Sequence, residues 1–166
     1  MNFGSALEQV HRRAPLVDCI TNFVTVNDCA NILLAVGGSP TMASDIREVQ
    51  ETAAAASALL CNLGAIDKVE SMILGGQAAN RAGKPVVFDP VGAGNTSLRR
   101  AESARLLDAA TAFDLKISVC GYQETEGADP AVLPEDMRPH RCTPKQFYME
   151  HFVNATVAWG KLYSRS

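Results

Sequence analysis

The segment VVFDPVGAGNT combines a carboxylate at the end of an apolar run with two nearby glycines. A carboxylate such as Asp89 can bind Mg²⁺ or a water coordinated to it, and Mg²⁺ neutralises the phosphates of a nucleotide. Backbone N–H groups at Gly92 and Gly94 can approach a phosphate closely, because glycine has no side chain. The same segment also fits a plain strand-to-helix turn that begins at Asp89 and Pro90. Spacing alone leaves both interpretations open.

A second polar stretch, CITNFVTVNDCAN, begins where another apolar run ends. Thr21 and Asn22 can hydrogen-bond a small ligand, and Asn27 can cap the helix that follows. An equally good interpretation is that these residues only begin that helix. Met42 stands among turn residues further along. Its soft thioether suits a flat heterocycle, although an isolated methionine is more often part of a core.

Other reactive side chains are not assigned to a site by their pattern. Cys61 lies inside an apolar run, which favours a small buried hydrophobic residue. Arg99 and Arg100 can reach a phosphate, but their spacing favours a solvated helix face. The five cysteines lack CxxC spacing and the three histidines are far apart, so neither a disulfide framework nor a zinc site is indicated.

Alternating apolar runs and amphipathic segments must position these residues. Short continuous apolar runs predict strands buried on both faces, as in a parallel sheet covered by helices. Ligands of such sheets bind beyond the carboxyl ends of the strands, where Asn22, Asn62 to Gly64 and Asp89 all fall. Asp45 and Glu48 have capping-box spacing and predict a helix start. The predicted strands are 16–20, 57–64, 84–90 and 113–119, and the predicted helices are 5–12, 24–37, 45–57, 68–83 and 97–112.

Length and charge limit the classes of function. The 166 residues suffice for one domain with a sizeable core. The formal net charge of −3 gives no electrostatic reason to expect nucleic acid or an anionic membrane as a partner. No apolar run is long enough to span a bilayer. The first fifteen residues lack the basic-then-apolar pattern of a signal peptide, so we expect a cytoplasmic protein.

The composition changes toward the end of the chain, which becomes rich in aromatic residues and prolines and poor in glycine. Residues 121–145 show neither a helical nor an alternating pattern, whereas residues 146–163 can form one helix. We therefore predict a partial α/β domain over residues 1–119. An irregular tail is expected over residues 120–166, poorly packed apart from that helix.

Three motifs together resemble the hydroxyethylthiazole kinase family: PLVDCITNFVTVNDCANILLAVGGSPTMASD, LLCNLG and VVFDPVGAG. The resemblance covers residues 5–119. It implies a ribokinase-like fold, a three-layer doubly wound sheet that is mainly parallel. It also implies ATP-dependent, Mg²⁺-assisted phosphorylation of the hydroxyl group of 4-methyl-5-(2-hydroxyethyl)thiazole in thiamine salvage. The family resemblance further implies homotrimers that bind thiazole between subunits.

Matched motif positions imply a set of site residues. The residues implied at the thiazole are Asn22, Val24 and Met42, with Gly64 near the same substrate. Asp89 is implied at the metal. Gly92 and Gly94, whose backbone N–H groups can approach a phosphate, are expected at the phosphates of ATP.

The chain also departs from the pattern of the family. Asp18 stands where the family usually has histidine. After Val119 the sequence contains neither the IRGN segment nor the glycine-rich GTGC-type anion hole with its catalytic cysteine. Cys120 and Cys142 lack that context, so no catalytic residue is assigned. We expect a frameshifted or otherwise altered C-terminus and impaired catalysis, since losing one such set of donors typically costs about 10²-fold or more.

Two other functions remain open at this point. A related kinase of another vitamin-precursor alcohol is one, because a strand-end DPV is not unique to one substrate. The other is a non-catalytic subunit that binds thiazole or assembles with intact kinase chains.

Overall fold

The structure, a computed structural model, describes residues 3–112 and 117–119. Five parallel strands form one sheet in the order β2-β1-β3-β4-β5. The strands are β1 (Leu16–Ile20), β2 (Ser39–Thr41), β3 (Ala58–Asn62), β4 (Val86–Asp89) and β5 (Ile117–Val119). The helices are α1 (Phe3–Arg13), α2 (Val26–Ala35), α3 (Val49–Ala55), α4 (Val69–Arg81) and α5 (Ser97–Ala112), with a 3₁₀ turn at Ile66–Lys68 before α4.

The predicted α/β class is confirmed, because strands and helices alternate and every strand pair is parallel. No helix in the described ranges is long and apolar enough to cross a membrane. The tail predicted for residues 120–166, including its helix, lies outside the described residues.

Strand β2 was not predicted, since the segment around Met42 was interpreted as a turn. The strand has only three residues and contains Pro40, both of which weaken a strand pattern. Pro40 is tolerated because β2 has a single hydrogen-bonded neighbour, β1, in the described sheet. An edge strand can leave one side of its backbone without a ladder.

Two predicted helix starts are wrong. Helix α2 begins at Val26 after Thr25, so Asn27 lies inside the helix and is not its cap. Helix α3 begins at Val49, four residues after Asp45. The Asp45 carboxylate accepts the backbone N–H of Arg47 at 2.9 Å and also bonds the Arg47 guanidinium. A local turn therefore replaces the predicted capping box.

The main core lies between the sheet and the layer formed by α3, α4 and α5. Alternate residues of the strands face this layer. Close packing of α3 on α4 requires Gly75, where an added Cβ would lie 3.0 Å from Val49 Cγ2. The largest fully buried apolar side chains of this core are Phe88, Ile20, Leu59, Leu63, Met72, Leu107 and Val49.

Helix α2 covers the other face of the sheet beside β1 and β2, as a right-handed connection requires. Cys19 of β1 points to this side. Burial first, and then the neighbouring Cys29 thiol of α2, raises the pKa of Cys19 to about 12. None of the α2 residues is fully buried, so much of this helix remains uncovered within the described chain.

Candidate functional site

The order of the strands creates a topological switch point at the carboxyl edge of the sheet. The chain leaves β1 toward β2 on one side and returns to β3 on the other. In open α/β sheets the connections diverge at such a switch point and leave room for a ligand. Asn22 follows β1, and Asn62 ends β3. The two predicted polar segments therefore meet on either side of the switch point.

Asn22 shapes the turn that leads into α2. Its side-chain oxygen accepts the backbone N–H groups of Val24 at 3.0 Å and Thr25 at 3.1 Å. The Thr21 hydroxyl, which was expected to be available for a ligand, lies 2.8 Å from the Thr25 hydroxyl. The Asn22 side-chain nitrogen points toward Gly64, in the turn after β3.

Gly64 touches Asn22 directly. A Cβ at Gly64 would lie 2.3 Å from the side-chain nitrogen of Asn22 and 2.5 Å from the side-chain oxygen of Asn62. Real Cβ atoms do not approach other atoms so closely, so only glycine fits between the two amides. The structure thus brings Asn22 and Gly64 together, across the switch point.

Asn62 extends this contact to Asp89. The Asn62 amide nitrogen donates to Asp89 Oδ2 at 2.7 Å, and its oxygen accepts the Gly64 N–H at 2.7 Å. The sheet register places Asn62 opposite Asp89 on neighbouring strands. Asn62 was predicted only to lie at a strand end, and its bridging role was missed. The sequence offered one signal for this role: an asparagine that ends a strand two residues before a glycine can accept the N–H of that glycine.

The Asp89 carboxylate ends β4 and is half-buried. Burial raises the pKa of this carboxyl, although the hydrogen bonds from Asn62 and from the Val91 backbone act in the opposite direction. Within the described chain no lysine or arginine forms an ion pair with Asp89. A desolvated carboxylate without a cationic partner gains from a bound cation, so the site fits Mg²⁺.

A single protein carboxylate is a sparse ligand set. No group of three or more His, Cys, Asp or Glu side chains within residues 3–112 and 117–119 could hold a metal ion. Mg²⁺ keeps most of its waters and is usually bound by one or two carboxylates together with substrate phosphates. Asp89 fits that mode of binding and does not fit a closed protein cage.

The glycine loop follows Asp89 directly. Gly92 has φ +67°, a left-handed conformation that strongly favours glycine. Two turn hydrogen bonds shape the loop, from Ala93 N–H to the Pro90 carbonyl at 3.0 Å and from Asn95 N–H to the Gly92 carbonyl at 3.0 Å. The N–H groups of Gly92 and Gly94 take no part in these two bonds, which leaves the geometry compatible with a phosphate.

Arg99 fixes the loop against the turn after β3. Its Nη1 donates to the Leu63 carbonyl at 2.9 Å and to the Val91 carbonyl at 3.2 Å. The prediction of a solvated face is therefore wrong for Arg99, which is half-buried. Arg100 is exposed and bonds the Gly94 carbonyl at 2.8 Å. Sequence spacing could not reveal the Arg99 contacts, because both carbonyls belong to the backbone.

Met42 and Val24 border the same edge. Met42 directly follows β2, the neighbour of β1, and is half-buried. Val24 is 71% exposed in the turn that Asn22 organises. From one side of the edge to the other, the order of residues is thus Met42, Asn22, Gly64 and Asp89, following β2, β1, β3 and β4.

The strand order and the residues at the strand ends define a doubly wound α/β domain with polar side chains at its switch point. The chain belongs to the hydroxyethylthiazole kinase family, whose model matches residues 7–116. This confirms the family that the motifs indicated.

Individual relatives agree with this assignment. A hydroxyethylthiazole kinase of Desulfovibrio desulfuricans is 53% identical over 107 residues, which are 63% of this chain and 38% of the relative. One from Clostridium botulinum, strain Alaska E43, is 44% identical over 135 residues, 76% of this chain and 49% of the relative. A solved hydroxyethylthiazole kinase structure from Pyrococcus horikoshii has a TM-score of 0.61 at 45% identity, covering 63% of this chain and 42% of that one. The chain spans about half or less of the length of these relatives.

Proposed function

We propose that this chain binds the acceptor alcohol of a hydroxyethylthiazole kinase, 4-methyl-5-(2-hydroxyethyl)thiazole, and takes part in its phosphorylation by ATP. The observation that carries the proposal is the continuous set of contacts from Asn22 through Gly64 and Asn62 to Asp89. These contacts join the acceptor side of the edge to the metal side. The family match supports the same reaction class.

At the acceptor side, the switch point offers one polar wall and one soft apolar wall. Asn22 and the backbone at Gly64 supply hydrogen-bonding groups that can orient the ligand. Met42 and Val24 supply apolar surface for the flat ring. The hydroxyl group of the ligand would then lie toward β4, the strand that ends in Asp89.

At the metal side, Asp89 would hold Mg²⁺ or one of its waters, and Gly92 and Gly94 would face the phosphates of ATP. Bound Mg²⁺ would neutralise phosphate charge during transfer. Asn62 keeps the Asp89 carboxylate oriented, and Arg99 keeps the glycine loop close to the turn after β3. Catalysis of phosphoryl transfer rests mainly on such positioning.

We further propose that residues 1–119 act as a partial kinase domain and residues 120–166 as a divergent tail. The tail departs from the family pattern directly after Val119, where the IRGN segment is expected, so we expect turnover to be impaired while acceptor binding is retained. A non-catalytic binding subunit is the second candidate function. It is favoured by the tail sequence, which departs from the family pattern after Val119 while the residues implied at the acceptor and the metal are kept.

The proposed protein is cytoplasmic and forms a homotrimer. Large apolar side chains on α2 and in the turn before it are uncovered in the single chain: Phe23, next to Asn22, is 89% exposed and Ile32 of α2 is 62% exposed. Neighbouring exposed apolar residues support a protein interface on this side of the domain. Such an interface would also place Val24 against a ligand bound between subunits.

Parallel assays of binding and turnover would test the proposal. Calorimetry with the thiazole alcohol should show binding, and an ATP-consumption assay with the same alcohol should show slow or no turnover. Asp89→Asn should abolish any turnover and any effect of Mg²⁺ on nucleotide binding, while alcohol binding stays within about twofold of the parent. Absence of alcohol binding by the parent chain would contradict the proposed function.

A further inference from the structure

Asp18 is a carboxyl group buried in the middle of the sheet. It is the third residue of β1, and its relative exposure is 0%. The register places it between Thr41 of β2 and Leu59 of β3. Interior strands of a covered parallel sheet are ordinarily apolar, and a buried charge is costly without a partner. No lysine or arginine pairs with Asp18 in the described part of the chain.

One hydrogen bond defines what this carboxyl does. Asp18 Oδ1 accepts the backbone N–H of Ala43 at 3.0 Å. Strand β2 ends at Thr41, whereas β1 continues to Ile20. The Asp18 side chain therefore supplies an acceptor just where the β1–β2 ladder no longer does. Ala43 directly follows Met42, so the bond fixes the segment that carries Met42.

The second oxygen of the same carboxyl is unusual. Asp18 Oδ2 is sealed from solvent and has no hydrogen-bond partner among the described residues. The carboxyl is thus not part of a self-contained polar network. Its hydrogen bond of ordinary length is the one from Ala43, which makes that contact the basis for assigning a role.

The titratable groups around Asp18 are two thiols and another carboxylate. They are Cys61 of β3 and Glu48 just before α3, together with the Cys19 thiol of β1, which points to the opposite face of the sheet. Burial and, to a smaller extent, the Glu48 charge raise the pKa of Asp18 to about 6, although the backbone N–H groups of Ala43 and Cys19 act in the opposite direction. The neutral acid is accordingly favoured in this environment more than at a surface aspartate.

We propose that Asp18 is a positioning residue of the acceptor site, which holds Met42 at the carboxyl edge of the sheet through its hydrogen bond to Ala43. The role of Met42 in ligand binding rests on the proposed function. The positioning of the segment does not, since it follows from the Asp18–Ala43 bond alone. Loss of the bond should loosen the segment and weaken acceptor binding through Met42.

Amide exchange on the full chain without ligand tests the positioning. Asp18→Asn keeps an acceptor for Ala43, and the Ala43 amide should stay protected to within about threefold of the parent. Asp18→Leu removes the acceptor at similar size, and protection should fall by about tenfold, the factor expected for one hydrogen bond. Equal exchange in all three proteins would overturn the proposal.

A measurement on the folded parent covers the case in which Asp18→Leu does not fold. The Ala43 amide proton shift should follow a titration with a midpoint near 6, the pKa of Asp18. Asp18→Asn should abolish that titration. An Ala43 shift that does not change with pH in the parent would count against the bond.

Calorimetry with the thiazole alcohol tests the link to Met42. Asp18→Leu and Met42→Ala should each weaken binding by roughly tenfold, and the double variant should be little worse than either, because both act through one side chain. Fully additive losses would overturn the link. If the parent itself does not bind the alcohol, the proposed function fails, and amide exchange still decides the role of Asp18.

Discussion

Asn62 serves the site through both ends of one amide group. Its nitrogen donates to Asp89 and its oxygen accepts the Gly64 N–H, both at 2.7 Å. A shorter side chain would leave a half-buried carboxylate and a backbone N–H without these partners at the same time. Unpaired groups of this kind cost more than an ordinary hydrogen bond contributes.

Asn62→Ala should therefore lower the free energy of unfolding by about 1–3 kcal/mol. Asn80→Ala is the matched control, because Asn80 makes a single bond to the Gly76 carbonyl one turn earlier in α4. The control should cost about 1 kcal/mol or less. Urea unfolding of both variants measures the difference. Equal losses of unfolding free energy in the two variants would show that the paired bonds of Asn62 stabilise the fold no more than a single bond does.

Asp18 makes stability depend on pH in a defined direction. Its pKa is about 6 in the folded chain against an ordinary 3.8, so the folded state favours the proton. The parent should lose stability as pH rises from about 4 to about 6, with the full penalty present above 6. Asp18→Asn removes this titration.

The stability of Asp18→Asn relative to the parent should thus increase by up to about 3 kcal/mol between pH 4 and pH 7. Urea unfolding at several pH values measures it. A difference between the two proteins that is constant over this range would contradict the raised pKa.

At the residue scale, the sequence identified side chains at strand ends but not their contacts. Asn22, Gly64 and Asp89 could be predicted because each follows an apolar run, and the carboxyl ends of parallel strands meet at one edge. The bridging by Asn62 and the burial of Asp18 depend on the register between strands that are distant in sequence. Local patterns contain no information on that register.

Among the elements, the turn after β3 and the loop after β4 are linked by Arg99 of α5. One guanidinium nitrogen bonds the Leu63 and Val91 carbonyls, which belong to these two connections. A half-buried cation that bonds two carbonyls holds the turn after β3 and the loop after β4 at a fixed spacing. Helix α5 thereby contributes to the candidate site.

Arg99→Ala should speed amide exchange in residues 91–96 and lower the free energy of unfolding by about 1–3 kcal/mol. Arg100→Ala is the control, since Arg100 is exposed and bonds only the Gly94 carbonyl. Its effect should stay within about 0.5 kcal/mol. Exchange that rises equally in both variants would rule out a special role for Arg99.

The helices and longer strands were predictable as elements, because their apolar patterns are regular over several residues. Strand β2 was not, since three residues with a proline resemble a turn. Helix starts were also misplaced at Asn27 and Asp45, where side chains that often cap helices serve other turns. Local chemistry thus indicated the right residue types but not the residue at which the backbone enters the helix.

For the whole molecule, the uncovered side of α2 is the feature with the clearest consequence. Ile32 and Leu34 are 62% and 59% exposed on a helix without a fully buried residue.

The order of the strands is also a property of the whole molecule. Apolar periodicity does not show that β1 lies between β2 and β3 in the sheet. Only the family resemblance implied it.

Ile32→Glu should convert the proposed trimer into monomers without unfolding them, because the side chain is exposed in the single chain. Leu98→Glu, at 57% exposure on α5, is the matched control and should leave the trimer intact. Sedimentation velocity distinguishes the two states. A parent chain that sediments as a monomer, or a trimer that survives Ile32→Glu, would contradict the proposed assembly.

The central claim is that a thiazole alcohol binds at the switch point between β1 and β3. Gly64 tests it most directly, because a Cβ there would lie 2.3 Å from Asn22 and displace it, whereas a Cβ at Gly76 meets nothing within 4 Å. Calorimetry with 4-methyl-5-(2-hydroxyethyl)thiazole should show binding to the parent and to a folded Gly76→Ala, and a loss of at least about tenfold for Gly64→Ala, the cost of roughly one lost hydrogen bond. Equal affinity in all three proteins, or no binding to the parent, would contradict it.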